Sequence, residues 1–253
     1  MGVLVHDTAA TGYARNAERY HRGRPTYHPD LARRVVDRYG HGTVVELGAG
    51  TGIFTRQLVD LGLKVIAVEP VVSMRTALAE FVPEADVRLG SAEEIPVADH
   101  SVDTIIASQS FHWFRYREAL EEIHRVIRPG GHLLTVWNVR DESVDWVAAC
   151  TKVIDSYAGD TPRQRDMGWR RAINSDARFG SIDEWRIDNP FPTTPEGVVD
   201  RTLSISFIGA LPDRQQAEVA NEIRAIVEPL GPEFDYPYTS QLQAWRAIDI
   251  EEP

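Results

Sequence analysis

Cysteine is nearly missing from this chain of 253 residues, and Cys150 stands alone. An intrachain disulfide is therefore excluded. Val147, Ala148 and Ala149 place Cys150 in an apolar helical run, so a packed small hydrophobe is expected rather than a reactive thiol. Lysine is almost as scarce: of 27 basic residues only Lys64 and Lys152 are lysine, which makes arginine the default cation. Positive charge is outweighed altogether. A formal charge of −11 opposes a nucleic-acid partner, because phosphate binding needs basic surface. No apolar run approaches the roughly 18 residues of a membrane span. Residues 1–20 lack the apolar core of a signal peptide. No membrane partner, no metal site and a cytoplasmic location are the expectations. Repeats, low-complexity segments and linkers are absent too, so residues 1–253 read as a single domain.

What is present is an ordinary globular composition, 43% hydrophobic and 26% charged. One stretch organises it. Val44, Val45, Glu46 and Leu47 lead into Gly48-Ala49-Gly50-Thr51-Gly52, and a helical pattern leaves it. Glycine tolerates positive φ and has no Cβ to hold a ligand off, and a helix N-terminus offers unpaired N–H groups.

From there the chain alternates. Strands are predicted at 43–47, 64–69, 85–89, 101–108 and 131–139, with helices at 51–61, 71–81 and 115–127. Short apolar runs between helical patterns argue a parallel sheet covered on both faces. Ahead of it lie a polar segment rich in tyrosine and arginine (11–28) and a helix opened by Pro29 that runs to about residue 39. Beyond Arg140 the alternation breaks. Helices are expected at 144–157 and 212–227 and strands at 184–189 and 236–246, while 163–178 is arginine-rich and poorly patterned. Thr194-Pro195-Glu196 marks a helix start. The domain thus divides into a cap of helices (1–40), a ligand-binding core (41–140), a substrate-side insertion (141–210) and a final helix and strand (211–253).

Three features bear on the ligand. The glycines fall at 48, 50 and 52, whereas a dinucleotide fingerprint needs the third one place later, where Ile53 stands. Glu46 would crowd a pyrophosphate but suits a cation. Glu69 closes the second strand, 17 residues past the last glycine, where a carboxylate can take both hydroxyls of a ribose. A ligand with a ribose, positive charge and no pyrophosphate fits, and S-adenosylmethionine has these features.

Glu46-x-Gly48-x-Gly50-x-Gly52, then Glu69, then Gly90-Ser91-Ala92-Glu93-Glu94-Ile95-Pro96, then Arg128-Pro129-Gly130-Gly131 resembles the class I S-adenosylmethionine-dependent methyltransferases over roughly residues 40–140. Tyr20-x-x-x-Arg24-Pro25-x-Tyr27 and Gln109-Ser110-Phe111-His112-Trp113-Phe114 are similar to a small-molecule branch that includes trans-aconitate-type carboxyl methyltransferases. The resemblance implies a Rossmann-like α/β fold of seven strands, the last antiparallel. It implies roles as well. Glu46 would lie near the methionine end, and Gly48, Ala49 and Gly50 against the methionine moiety and ribose. Glu69 would take the ribose hydroxyls. Pro70 and Met74 would flank the adenine, with Ser91, Ala92 and Glu93 at its edge and Gln109 near the ammonium. Ser91 stands where many relatives carry aspartate. Arg24 would pair with the methionine carboxylate from an N-terminal segment, with Tyr13 and Tyr20, that closes over the site. Each has a plainer alternative: Glu46 as a carboxylate facing a helix, Met74 as core, Arg24 as a surface cation.

Methyl transfer chiefly requires an in-line approach, and an ionised carboxylate acceptor needs no base. His112 is the candidate base for other acceptors; its alternative is a histidine that fixes the loop. Trp113 and Phe114 are candidate walls of the methyl pocket, aromatic faces being favourable to a sulfonium, and Trp137 and Asn138 end the fifth strand nearby. Arg163, Arg165, Arg170 and Arg171, with Trp169 among them, form a candidate clamp for an acidic acceptor or else a solvated segment. The expected activity is transfer to a small molecule, to the oxygen of a carboxylic acid. A macromolecular acceptor, another small-molecule oxygen, nitrogen or carbon acceptor, and a non-methylating protein of this fold are the alternatives. Oligomeric state is not legible.

Overall fold

A computed structural model describes residues 23–248. Tyr13 and Tyr20 lie outside the described residues. Among the described residues, α1 (Pro29–Tyr39) starts with Pro at its first turn, and its His28 cap accepts from the Asp30 amide. Then come β1 (Val44–Leu47), α2 (Ile53–Asp60), β2 (Val65–Val68), α3 (Val72–Phe81), β3 (Asp86–Arg88), β4 (Val102–Ser108), α4 (Tyr116–Val126) and β5 (Ile127–Arg140).

The sheet has seven strands in the order β3-β2-β1-β4-β5-β9-β6, where β6 is Phe179–Asp188 and β9 is Tyr238–Ala247. Pairing is parallel from β3 through β5. β9 runs antiparallel to both β5 and β6. It is thus the one reversed strand of this sheet, as the resemblance implied. Order reverses between β1 and β4, and in open α/β sheets ligands lie in the crevice beyond the strand ends at that switch point.

Period-2 alternation splits the strands between two cores. On one face Val45, Leu47, Ile105 and Leu133 pack against Ala119, Leu120 and Ile123 of α4. On the other, Val44, Val65, Ile106 and Leu134 meet Leu31 and Val35 of α1 and Phe54 and Leu58 of α2. Burying such side chains contributes about 1.5–3 kcal/mol each before conformational entropy is counted.

The chain beyond Arg140 builds a third core over the carboxyl ends of the strands. It contains α5 (Asp145–Asp155), α7 (Pro195–Leu203), α8 (Ser206–Gly209), α9 (Asp213–Val227) and a two-stranded sheet, β7 (Phe191–Thr193) with β8 (Phe234–Tyr236). Thr194 caps α7 by accepting from the Gly197 amide, with Pro195 behind it. Val219, Ile223 and Val227 of α9 join Val147, Cys150 and Val198. α9 therefore packs chiefly with the helices of the insertion and meets the final strand at its first residue, Tyr238. Burial raises the Cys150 thiol to about 11, as befits a packed residue. The segment read as poorly patterned forms a 3-10 turn (Gln164–Asp166) and α6 (Gly168–Asn174), which sinks Trp169 and Ile173 into the first core.

Candidate active site

β1 delivers the chain to the switch point, and the turn beyond it works because three residues lack side chains. Gly48, Gly50 and Gly52 all have positive φ (64°, 61° and 85°). A Cβ on Gly48 would stand 2.8 Å from Ser110 Cβ, and on Gly52 2.3 Å from Leu78 Cδ1. A Cβ on Gly50 would meet nothing within 4 Å, because it would project into a cavity. That cavity encloses about 1130 Å³ with its open mouth. Arg24, Gly48, Ala49, Gly50, Glu69, Pro70, Met74, Ser91, Ala92, Glu93, Gln109 and Trp113 all border it. The bare backbone at Gly50 and the acid at Glu69 fit a ribose-bearing ligand.

Glu69 follows β2 directly and is almost fully buried. Its Oε2 accepts from the Gly50 amide and its Oε1 from the Val71 amide, both at 2.8 Å. Burial outweighs these bonds and raises its pKa to about 7. Each oxygen keeps a lone pair for a ribose hydroxyl. Ser91 Oγ accepts from the Glu93 amide, and a Glu93 oxygen accepts from the Arg115 amide. Met74, although it borders the cavity, is as buried as a core residue.

Glu46 departs from its expected place. Its carboxylate is wholly buried behind the glycine turn, where it accepts from Thr55 Oγ1 at 2.6 Å and from Ser108 Oγ, and it does not border the cavity. Desolvation raises its pKa to about 7, and the negative charge of Glu69 adds to that. Ser108 is the residue that reaches the cavity wall there.

At the end of β4, Gln109 adopts φ 54°, uncommon for a residue with a side chain. Its amide donates to Val136 O and its Nε2 to Asn138 O, and these bonds hold the turn. Asn138 in turn donates to Thr26 O at 3.1 Å and accepts from Ser240 Oγ and Asn189 Nδ2. Asn189 also donates to Thr26 O. Together they pin the segment that carries Arg24, whose Nε reaches Ser204 Oγ at the end of α7.

A second cavity adjoins the first. Arg24, Gln109, Trp113, Asn138 and Arg201 border both. The second is also bordered by His112, Arg140, Arg163 and Arg165. Among the described residues, five guanidiniums and one carboxylate, Glu142, thus line it. Arg163 and Arg165 share Asp155 at 2.5 and 2.6 Å. Arg170 pairs instead with Glu184 on β6, and Arg171 is exposed, so the expected clamp keeps only two of its four arginines.

Three further expectations change. His112 borders the second cavity and not the first. Burial, then the charges of Arg24 and Arg163, lowers its pKa to about 3, so a proton-accepting role at neutral pH is unsupported. Trp137 is fully buried and packs, with tilted rings, between His112 and Trp169 at centroid distances of 5.6 and 4.8 Å, outside either cavity. Trp169 is equally buried and donates its Nε1–H to Gln164 O. Both are core residues, and the pocket loses them. Arg140, Arg201, Asn189 and Ser204 were missed. No local signal marks them, because Arg140 ends β5 and the other three reach the site only once the chain beyond it has folded.

A doubly covered sheet with a glycine turn and an acid at its switch point defines a class of α/β proteins that bind a nucleoside-bearing ligand. The methyltransferase domain family matches residues 45–135. An uncharacterized methyltransferase of Mycobacterium tuberculosis strain H37Rv is 34% identical over 216 residues, spanning 82% of each chain. The chain belongs to the S-adenosylmethionine-dependent methyltransferases, a family whose methyl donor is S-adenosylmethionine. Among solved structures, one assigned to the type II methyltransferases from Anaeromyxobacter dehalogenans matches with a TM-score of 0.60 at 22% identity, over 90% of this chain and 99% of that one. The cyclase SpnF matches with a TM-score of 0.61 at 14% identity, over 98% and 99%. At these identities the two structures show a shared fold. No helix among the described residues is long and apolar enough to cross a membrane.

Proposed function

We propose that this protein uses S-adenosylmethionine to methylate a small-molecule carboxylic acid on oxygen. The observation that carries the acceptor class is the guanidinium-lined cavity that meets the glycine-turn cavity along Gln109, Trp113 and Asn138. Guanidinium forks suit carboxylates, and desolvation by the cap strengthens that pairing.

When bound, S-adenosylmethionine supplies an electrophilic methyl on a sulfonium, which an in-line oxygen displaces from sulfur. The chain's own residues supply position. Glu69 accepts ribose hydroxyls, the glycine backbone lets the ligand lie close, and Trp113 and Phe114 offer ring faces to the cationic centre. Arg163 and Arg165 hold the acceptor. No side chain needs to take a proton, because a carboxylate arrives ionised, and the weakly basic His112 agrees with that.

The test is a panel of small acids incubated with methyl-labelled donor. Base-labile label, released as methanol from an ester, is the expected product. Arg163→Ala with Arg165→Ala should raise KM for the acid by roughly tenfold or more, as loss of a charge-assisted pair would. Label that transfers only to amines, phenols or macromolecules would overturn the acceptor class. Binding of the donor without its consumption would point to a non-methylating protein of this fold.

A further inference from the structure

We propose that His112 is a specificity-determining residue of the acceptor cavity, a neutral hydrogen-bond acceptor that selects carboxylic acids carrying a hydroxyl or N–H group. The proposal rests on the carboxylic-acid reading above and adds a second recognition element to it.

His112 sits on the 3-10 turn Phe111–Trp113 that follows β4. Its ring is held between Trp113, at a centroid distance of 4.8 Å, and Trp137, at 5.6 Å. Neither neighbour offers it a carboxylate. Nδ1 is buried and has no hydrogen-bond partner, so Nε2 is the nitrogen left to the cavity that the ring borders. Burial keeps the ring unprotonated, and two of the cations there, Arg24 and Arg163, add to that.

The same cations select a tautomer. A neutral imidazole has one bare nitrogen and one N–H. Its negative end is the bare nitrogen, and guanidiniums on the cavity side favour that end facing them. The N–H then lies at Nδ1, against the indole rings. Nε2 becomes an acceptor in a cavity whose arginines only donate. A carboxylate satisfies the arginines but brings nothing to Nε2. An acid with a hydroxyl or an amide N–H satisfies both, and an unpaired buried acceptor disfavours the acid that lacks one.

Matched pairs of acids test this: propionate with lactate, succinate with malate, glutarate with 2-hydroxyglutarate. The readout is the kcat/KM ratio within each pair, which does not depend on the fraction of folded enzyme. Wild type should favour the hydroxy acid of at least one pair by roughly tenfold. His112→Phe, or His112→Leu should the first fold poorly, should bring the ratio close to one. His112→Gln, with an amide oxygen to accept the bond, should restore most of it. A purely structural histidine would lower both members of a pair alike. An unchanged ratio in His112→Phe, or a wild type that turns over acids with no preference in any pair, would overturn the proposal alone. A wild type that methylates no acid would overturn the carboxylic-acid reading and this proposal with it.

Discussion

Replacing Glu69 with alanine should separate affinity from stability. The carboxylate sits at the mouth of the glycine turn, with each oxygen 2.8 Å from a backbone amide. Two ribose hydroxyls would add two bonds to a charged acceptor, each worth about 1.5–3 kcal/mol. Their loss amounts to about 3–6 kcal/mol, a fall in affinity of roughly 10²–10⁴-fold. Stability should move far less. The Gly50 and Val71 amides lose their acceptor, at about 1 kcal/mol each, but the cost of burying a charge disappears with them. Calorimetry with S-adenosylhomocysteine and with its 2′-deoxy analogue is the assay. Wild type should discriminate between them by tenfold or more, and Glu69→Ala by less than about threefold. The pH dependence adds a sign. Glu69 must be ionised to accept from the ribose, and its pKa is raised to about 7 in the protein without ligand. Affinity should therefore be full above pH 8 and weaken as pH falls through 7, by up to about tenfold per unit. A Glu69→Ala protein that still separates the two nucleosides tenfold would refute the assignment.

Glu46 gives a stability prediction of opposite character. Its folded pKa of about 7 lies above the usual 4.5, so its contribution is fully present below pH 4.5 and is lost as pH rises to 7. Glu46→Gln should match wild type near pH 5 and exceed it by about 3 kcal/mol at pH 8 in urea unfolding. An equal difference at both values would contradict the burial argument. Trp169→Ala empties a fully buried site and should cost about 3–5 kcal/mol, lowering Tm by roughly 10 °C. An unchanged Tm with an altered KM would return Trp169 to the pocket.

The core of the fold was legible because its strands are short apolar runs, buried on both faces. β1, β2 and β4 fall within a residue or so of their expected bounds. β6 begins five residues before its expected start, since Gly180, Ser181 and Asp183 read as loop chemistry, whereas an edge strand tolerates them. β5 also starts early. Pro129 and the following glycines look like a turn, but they form an irregularity between the Ile127 and His132 pairings. The parity of β5 held an unused signal. Trp137 shares a face with Leu133, and both lie in the first core. The cofactor-side residues follow one another along the chain and were readable as motifs. The second cavity draws Arg24, Arg140, Arg163 and Arg201 from four separate elements, and such convergence leaves no trace in spacing.

The reversed strand sets an order of events during synthesis. Leu133 of β5 pairs with Trp245, and Ser181 of β6 pairs with the same residue from the other side. Until β9 leaves the ribosome, β5 and β6 are both unpaired edges, and each is a template for another chain. The nucleoside-binding half, by contrast, contains all its parallel partners once β5 is made. Ligand binding to that half while the chain beyond Arg140 is still being translated would stabilise a nascent intermediate. The slow step left over is the insertion of one strand between two that have been waiting for it.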